Sequence, residues 1–547
     1  MNLLHSNLRD WDLLCSTFKW EVPEYYNIAY EVCDKHQGLQ DQIALYYEND
    51  RGDEKTFSFG DFRRLSNQLA NTLSALGAAK GDRIAIIPSQ CPEAAISHLA
   101  IFKLGGISLP LSVLFGPDAL GYRLQDSGAK VVITDGTRRE LVESLKPDLP
   151  ELETIIDCDD GADAGFWGRL VQGSAMFEIE STHSEDPALL IYTSGTTGPP
   201  KGALVAHRCF PGNLTGFELS HNFLPQAGDV FWTPADWAWT GGLIDGLLSA
   251  WYYGVPVLGY EGGKFNPEKA CRLMTKYRIR NTFIPPTALK MIRQLGDVRG
   301  RYGVNLRTLM SAGEAVGAAL YHWGKDALGI EINEMCAQTE FNYIIENCSA
   351  IMEVKPGSIG KAYPGHRVEP VDDDGNVMAT GEIGELAAFR RDDPVMFLGY
   401  WRNETATRAK FIGDWWGTGD MGYRDEDGYL WFVGRRDDVI SSAGYRIGPG
   451  EIEDCLLKHP AVAQAAVIGS PDELRGEIIK AFIVPAPDAE LSEDLKRNIQ
   501  ESVRNRLAAY EYPREIEFIN ELPMTTTGKV RRMELRQREM AKKQGSR

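Results

Sequence analysis

The sequence has 547 residues, of which 43% are apolar and 25% charged; this is typical of a folded globular protein, and the length exceeds what one hydrophobic core usually organises. The net charge of −19 and the lack of any ~20-residue apolar stretch make nucleic acid and stable membrane insertion unexpected. The sequence has nine cysteines and no C-x-x-C pair, and their spacing suggests neither a zinc site nor a disulfide framework. We therefore expect reduced thiols in a cytoplasmic protein.

Helical and strand patterns alternate in the first part of the chain. The leucines of "RLSNQLANTLSALGAAKGD" lie at helical spacing, "RIAIIPS" reads as a buried strand, "EAAISHLAIFKLGG" as a helix and "AKVVITD" as another strand. The alternation recurs across residues 185–345, for example in "DPALLIYTS" and "VPVLGYEG". Such alternation predicts mostly parallel sheets covered by helices on both faces.

The sequence pattern changes from about residue 356. In "GHRVEPVDDDGNVMATGEIGELAAFR" turn dipeptides separate short alternating runs, which is typical of β-hairpins. A charged, glycine-spaced connector then precedes a compact α/β unit of about 110 residues. We therefore predict one domain over residues 1–436 and a second over 437–547.

One loop has the composition of an anion site. In "LLIYTSGTTGPPKGALVAH", residues 189–207, a buried strand leads into a loop at the strand end, where ligands bind in open α/β sheets. Hydroxyl donors, flexible glycines and one lysine favour phosphate as the ligand. The loop residues are Thr193, Ser194, Gly195, Thr196, Thr197, Gly198 and Lys201. The spacing is not that of a Walker A loop, because Gly202 follows the lysine.

Six motifs in order give the chain its resemblance to the adenylate-forming superfamily, which includes acyl-CoA synthetases, peptide-synthetase adenylation domains and luciferases. They are the loop above, "SAGEAV" (311–316), "NEMCAQTE" (333–340), "WWGTGD" (415–420), "SSAGYRIGPGEIE" (441–453) and "LPMTTTGKVRRMELR" (522–536). The resemblance implies an α/β fold. A large N-terminal domain of parallel-rich αβα layers with a β-barrel-like subdomain would be hinged to a small α+β C-terminal domain.

The resemblance also implies the ligands and their contacts. ATP, Mg²⁺ and coenzyme A are expected, with a small-molecule carboxylic acid as substrate; a homo-oligomer is left open. Thr339 would contact the α-phosphate, and Glu340 would hold Mg²⁺, which accepts one carboxylate plus phosphate oxygens. Asp420 would accept hydrogen bonds from both ribose hydroxyls. The other nucleotide-binding residues would be Gly313, Glu314, Ala315, Gln338 and Arg435.

Two positions depart from the family pattern. Cys336 stands where an aromatic residue usually packs against adenine, and Ala337 stands where glycine is common. The first departure affects stacking on the base, and the second affects the acyl pocket.

Two lysines compete for the role in adenylation. Lys201 belongs to the phosphate loop, whereas Lys529 stands in the C-terminal motif and is the predicted catalytic lysine. The small-domain loop would move in for the second half-reaction. Its predicted coenzyme A residues are Gly444, Tyr445 and Arg446, the last also catalytic, with Asp437 at the hinge.

The identity of the acid is less constrained. "WTPADWAWTGGLIDG", residues 232–246, resembles the acyl segment of short- and medium-chain acyl-CoA synthetases. The predicted pocket residues are Trp239, Thr240, Gly241 and Ala337. Acetate-specific relatives carry tryptophan at the position of Ala337. We therefore expect an acid larger than acetate, a short-to-medium or branched aliphatic acid, with aryl acids as the second candidate. Trp237 and Trp239 fit a pocket cap or core packing, and Asp236 fits a substrate amino group only weakly.

The predicted function is an ATP-dependent ligase of fatty acid metabolism that forms acyl-CoA through an acyl-adenylate and releases AMP and pyrophosphate. The alternatives are an aryl-CoA ligase, a stand-alone adenylation enzyme loading a carrier protein, luciferase-type oxidation, and a non-catalytic nucleotide-binding pseudo-synthetase. The sequence ends 18 residues after Lys529, which favours free coenzyme A over a fused carrier. Retention of Lys529, Glu340, Asp420 and Arg435 argues against the non-catalytic alternative.

Overall fold

The computed structural model describes residues 10–161, 164–193, 199–313, 316–436, 440–443, 445–447, 449–472, 474–487, 489–508, 510–523, 530 and 532–544. The chain divides into two compact units: Met1–Val113, Leu124–Ile191 and Gly202–Gly434 form the first, and Leu114–Arg123, Tyr192–Lys201 and Arg435–Arg547 form the second. Within the described ranges, no helix combines the length and apolar character needed to cross a membrane. The domain boundary at 436/437 stays a prediction.

The strands follow one another along the whole chain. They are β1 (Ile43–Asn49), β2 (Glu54–Ser58), β3 (Arg83–Ile86), β4 (Ile107–Pro110), β5 (Val131–Thr134), β6 (Thr154–Asp157), β7 (Pro187–Thr193), β8 (Lys201–Ala206), β9 (Phe231–Trp232), β10 (Val257–Glu261), β11 (Asn281–Phe283), β12 (Thr308–Ala312), β13 (Ile332–Gln338), β14 (Phe341–Glu346), β15 (Lys361–Ala362), β16 (Val368–Val371), β17 (Gly384–Phe389), β18 (Gly399–Tyr400), β19 (Phe411–Ile412), β20 (Trp415–Arg424), β21 (Leu430–Arg435), β22 (Ile440–Ser442), β23 (Tyr445–Ile447), β24 (Val462–Asp472), β25 (Gly476–Pro485) and β26 (Glu515–Phe518).

Helices connect most of these strands. They are α1 (Trp11–Thr17), α2 (Phe59–Ala75), α3 (Pro92–Lys103), α4 (Pro117–Ser127), α5 (Gly136–Leu145), α6 (Phe166–Gln172), α7 (Cys209–Gly212), α8 (Leu214–Ser220), α9 (Thr240–Gly242), α10 (Ser249–Tyr252), α11 (Pro267–Lys276), α12 (Pro286–Arg293), α13 (Val298–Tyr302), α14 (Gly317–Trp323), α15 (Glu404–Arg408), α16 (Pro449–Leu457), α17 (Glu493–Arg504) and α18 (Arg532–Gln544). Short π-helical stretches lie at Tyr30–Asp34, Leu243–Leu248 and Gly324–Leu328, and 3₁₀ turns at Gln37–Leu39 and Lys146–Asp148.

Two large sheets are mostly parallel, as the alternation of helices and strands predicts. The first runs β15-β14-β13-β12-β11-β9-β10-β1-β2 and is parallel from β13 to β1. The second runs β18-β8-β7-β4-β3-β5-β6, with β7, β4, β3, β5 and β6 parallel and β18 antiparallel to β8. The run "ALLIY" therefore lies inside a sheet, in β7.

Helix α2 shows how the sequence specifies these elements. Ser58 caps its N-terminus: the hydroxyl accepts a hydrogen bond from the N–H of Asp61, whose carboxylate accepts one from the N–H of Ser58. Leucines at helical spacing, such as Leu69 and Leu73, are fully buried. The helix ends just before Gly77, which adopts a φ of +88° that suits glycine. Its buried face belongs to a core that also includes residues of both large sheets.

Two smaller sheets complete the architecture. The predicted hairpin region forms a third sheet, β16-β17-β20-β19, with antiparallel pairs and with β21 on β20. The C-terminal region forms a fourth, β23-β22-β25-β24, with β26 parallel to β25. Helix α18 contributes Leu535 to the core of this fourth sheet, beside Ala466 and Phe482.

Candidate active site

Glu340 stands on a tight hairpin turn. Strands β13 and β14 are antiparallel, with Gln338 opposite Phe341, so Thr339 and Glu340 form the turn. The side chain of Glu340 is buried, and its Oε1 accepts a 2.5 Å hydrogen bond from the hydroxyl of Tyr400. Its backbone carbonyl accepts a 2.9 Å bond from the N–H of Phe397. Both backbone and carboxylate of the predicted Mg²⁺ ligand are therefore fixed.

Tyr400 stays a hydrogen-bond donor at this position. Burial, and then the neighbouring charge of Glu340, raise the pKa of the Tyr400 phenol far above its usual value. The hydroxyl therefore keeps its proton at ordinary pH. Sequence reasoning missed Tyr400, which lies 60 residues from its partner.

Gln338 links the hairpin turn to the third sheet. Its amide Nε2 donates to the carbonyl of Thr418 at 2.8 Å and to Oδ2 of Asp420 at 3.2 Å. Asp420 lies on β20 and is 4% exposed, and its N–H donates to the hydroxyl of Thr418 at 2.9 Å. Two predicted nucleotide-binding residues from separate motifs are thus in direct contact.

The glycines of "WWGTGD" accommodate a buried carboxylate beneath them. The N–H of Gly419, whose φ is +79°, donates to Oε1 of Glu385 at 2.7 Å. A Cβ on Gly417 would stand 2.6 Å from the same oxygen. Glu385, on β17, therefore shapes the strand that carries Asp420. Glu385 was also missed, although the Gly-x-Gly spacing is a signal of close approach.

The predicted adenine turn begins where β12 ends. Gly313 has a φ of +94°, and Glu314 and Ala315 lie outside the described residues. The N–H of Val316, which follows them, donates to Oε1 of Glu334 at 3.1 Å. Glu334 lies on the neighbouring strand β13, opposite Ser311. Burial raises the pKa of the Glu334 carboxyl to about 7.

The predicted phosphate loop lies between two strands of the second sheet. Thr193 ends β7 and Lys201 begins β8, and the hydroxyl of Thr193 donates to the carbonyl of Lys201 at 3.4 Å. Tyr122 donates its hydroxyl to the carbonyl of Pro200 at 3.1 Å. The predicted residues Ser194, Gly195, Thr196, Thr197 and Gly198 lie outside the described part of the chain.

The segment predicted to form the acyl pocket is organised by Asp236. Its carboxylate accepts hydrogen bonds from the hydroxyls of Ser89 and Ser112, both at 3.3 Å, and from the N–H of Ala238 at 3.1 Å. Burial raises the pKa of this carboxyl. Since Asp236 joins three chain segments, it acts as a structural acceptor, which argues against a substrate amino group as its partner.

The neighbouring residues differ in their exposure. Trp237 is 1% exposed and packs in the main core, which favours core packing as its role. Trp239 and Thr240 are half-buried at the start of α9, and Ala337 is half-buried on β13. A Cβ on Gly241 would stand 2.7 Å from the ring of Phe283. The small size of Gly241 therefore makes room for that ring.

Only some of the residues predicted to act in the small C-terminal domain lie in the described part of the chain. Tyr445 and Arg446 lie on β23, and the ring of Tyr445 stacks on that of Tyr510 with centroids 3.8 Å apart. Arg435 ends β21. Asp437, Gly444 and Lys529 lie outside the described residues. Leu522 and Val530, on either side of the lysine segment, both contribute to the apolar core of this region.

Glu340 has the donor chemistry that Mg²⁺ prefers. The hydroxyl of Tyr400 donates to Oε1, and no hydrogen bond from another described residue is seen at the other carboxylate oxygen. Among the described residues no group of three or more His, Cys, Asp or Glu side chains could hold a metal. A single carboxylate suits a cation that takes its remaining ligands from phosphate oxygens and water.

Comparison with known proteins gives similar chains over the full length. The family of AMP-binding enzymes matches residues 34–401, and the AMP-binding enzyme C-terminal domain matches residues 451–529. Mitochondrial acyl-coenzyme A synthetase ACSM3 of Rattus norvegicus is 35% identical, over 97% of this chain and 94% of its own. The crystal structure of Brucella canis acyl-CoA synthetase is 30% identical, with a TM-score of 0.72, covering 98% and 100% of the two chains. The anthranilate CoA ligase AuaEII, solved with anthranoyl-AMP, is 32% identical, with a TM-score of 0.71, covering 95% and 98%.

Proposed function

This chain belongs to the AMP-binding enzyme family and has the adenylate-forming fold, and we propose that it joins a carboxylic acid to coenzyme A at the expense of ATP. In the first half-reaction the acid's carboxylate attacks the α-phosphorus of ATP, which forms an acyl-adenylate and releases pyrophosphate. In the second, the thiol of coenzyme A attacks the acyl carbon and releases AMP. This proposal starts from the match to the family of AMP-binding enzymes and from the similarity to acyl-CoA synthetases over nearly the whole chain.

The contact between Gln338 and Asp420 carries the proposal. This amide bridge connects the hairpin turn that bears Glu340 with the strand that bears Asp420. The proposed ribose acceptor and the proposed phosphate-side carboxylate would therefore be linked through Gln338. Fixed donors and charges around a phosphoryl group are what adenylation requires, because charge gathers on its oxygens in the transition state.

Each half-reaction has its own proposed residues. Thr339, the loop from Thr193 to Lys201, and Lys529 would stabilise the phosphates during adenylation, while Mg²⁺ on Glu340 would neutralise phosphate charge. Gly444, Tyr445 and Arg446 would serve coenzyme A, with Asp437 as the hinge. Residues needed at different stages give a reason for a C-terminal domain that moves on a hinge during turnover.

We propose a short-to-medium aliphatic or branched acid as the substrate. The likeness to ACSM3 supports membership of the acyl-CoA synthetases, and Ala337 leaves out the bulk that would restrict the pocket to acetate. An aryl acid is the second candidate, because a relative at 32% identity is an anthranilate CoA ligase. A cytoplasmic location belongs to the same proposal, since none of the nine cysteines forms a disulfide bond and reducing compartments keep cysteines in the thiol form.

A panel assay tests the proposed function. Purified protein with ATP and Mg²⁺ is given aliphatic acids from acetate to decanoate, branched acids, benzoate and anthranilate, and ATP–pyrophosphate exchange is measured for each. Coenzyme A and a phosphopantetheinylated carrier protein are then compared as acceptors. Exchange with aliphatic acids and transfer to coenzyme A are expected; exchange followed by transfer only to the carrier would favour the stand-alone adenylation enzyme.

Two variants sharpen the assay. Asp420→Ala removes a charged hydrogen-bond acceptor for ribose, so kcat/KM for ATP should fall by roughly 10–100-fold. Asp414→Ala is the control: this partly exposed aspartate lies just before the same strand and forms an ion pair with Arg391, and the variant should stay within about twofold of wild type. Absence of exchange with every acid would refute the proposal and leave the nucleotide-binding pseudo-synthetase.

A further inference from the structure

The segment that carries Tyr400 binds two parts of the site at once. Strand β18 pairs with β8, the strand that follows the phosphate loop, with Gly399 opposite Leu204 and Tyr400 opposite Ala203. The N–H of Trp401 donates to the carbonyl of Gly202 at 2.7 Å. The same short segment supplies the Phe397 N–H and the Tyr400 hydroxyl that hold Glu340.

The orientation of the Tyr400 ring is fixed from several sides. Its ring meets Phe397 edge-on with centroids 5.2 Å apart, and it lies 6.1 Å from the ring of Trp416. The backbone N–H of Tyr400 donates to the hydroxyl of Thr407 at 2.9 Å. The ring is 7% exposed and packed on these neighbours, and its hydroxyl is directed at Glu340.

We propose that Tyr400 is a positioning residue that holds the Glu340 carboxylate in the orientation in which it binds the cation of the metal–nucleotide complex. This inference rests on the proposed function, since it takes ATP with a divalent cation as the ligand. Without the hydroxyl, the carboxylate loses its fixed rotamer and gains freedom that cation binding must remove again. Groups that orient a metal ligand typically change metal affinity by roughly 10–100-fold.

Tyr400→Phe isolates the hydroxyl because it keeps the ring and its packing. The readout is binding of Mn²⁺ together with α,β-methylene-ATP, whose α–β bridge cannot be cleaved, measured by the electron paramagnetic resonance of free Mn²⁺. We expect the variant to bind the Mn²⁺–nucleotide complex about tenfold more weakly, and to bind the nucleotide without metal as wild type does. Activity should recover when Mg²⁺ is raised.

Tyr277→Phe is the matched control. The hydroxyl of Tyr277 donates to the carboxylate of Glu48 at 2.9 Å, so this change also removes a tyrosine–glutamate hydrogen bond, on residues of the first unit outside the site. It should leave Mn²⁺–nucleotide binding unchanged. Thermal unfolding of both variants separates a folding defect from a binding defect.

A double-mutant cycle with Glu340→Gln completes the test. If Tyr400 acts through Glu340, Tyr400→Phe should weaken Mn²⁺–nucleotide binding by less than about twofold once the carboxylate is gone. Equal losses in both backgrounds, or wild-type affinity of the folded Tyr400→Phe protein, would overturn the inference. Acid-dependent pyrophosphate exchange is measured on the wild-type protein in parallel. If the wild type shows this exchange and Tyr400→Phe gives either of the opposing results, the inference about Tyr400 fails while the proposed function stands.

Discussion

The buried carboxyl of Glu334 should make the stability of this protein depend on pH. Burial raises its pKa from the ordinary 4.5 to about 7 in the folded chain, so the folded state binds the proton more tightly than the unfolded state. The stability that this group contributes is fully present below pH 4.5 and is lost as pH rises through 7. From these two pKa values, the raised pKa costs the folded state about 3 kcal/mol at pH 8 and about 1 kcal/mol at pH 5.5.

Glu334→Gln removes the titration but keeps an oxygen that accepts the N–H of Val316. Between pH 5.5 and pH 8.0 the stability of the variant relative to wild type should therefore rise by about 2 kcal/mol. Urea unfolding followed by tryptophan fluorescence at both pH values measures this change. Glu331→Gln, at a more exposed glutamate paired with Lys325, should show a change below about 1 kcal/mol. A stability difference between Glu334→Gln and wild type that is the same at both pH values would refute the reasoning.

Two further predictions concern the reaction itself. Lys529→Ala should slow adenylate formation by roughly 10²–10³-fold, whereas thioester formation from supplied acyl-adenylate should slow much less. Single-turnover assays of each half-reaction measure both rates. Equal losses in the two half-reactions would contradict the proposed division of roles. Ala337→Trp should suppress acids longer than propionate and spare acetate, which the acid panel measures; an unchanged chain-length preference would place Ala337 outside the acyl pocket.

The alternating first part of the chain could be predicted well because its signals are local. The "RIAIIPS" and "AKVVITD" runs form β3 and β5, and the leucine-rich segment before Gly77 forms α2. Apolar periodicity and glycine stops depend only on neighbouring residues, and a parallel sheet follows from their alternation. The hairpin texture after residue 356 was equally readable, since β16 and β17 pair as antiparallel strands.

The groups that support the candidate site could not be read from sequence. Glu334, Glu385 and Tyr400 act on partners that the chain brings together only in the fold, over separations of 18, 34 and 60 residues respectively. A buried carboxylate has no local pattern, because its burial depends on how sheets pack. The residues of the motifs were recognisable because they resemble a known family, whereas their supporting contacts follow from tertiary structure alone.

The hydrogen bonds of the Gln338 amide restrict which residue types position 338 can accept. Its Nε2 donates to two oxygen atoms, the carbonyl of Thr418 and the carboxylate of Asp420, so these contacts require a donor at this position. A single-base change in the codon would give Gln338→Glu, which sets two carboxylates against each other and opens the connection between hairpin and strand. Evolution at this codon is therefore barred from one of its single-base changes, because a carboxylate at position 338 would repel Asp420.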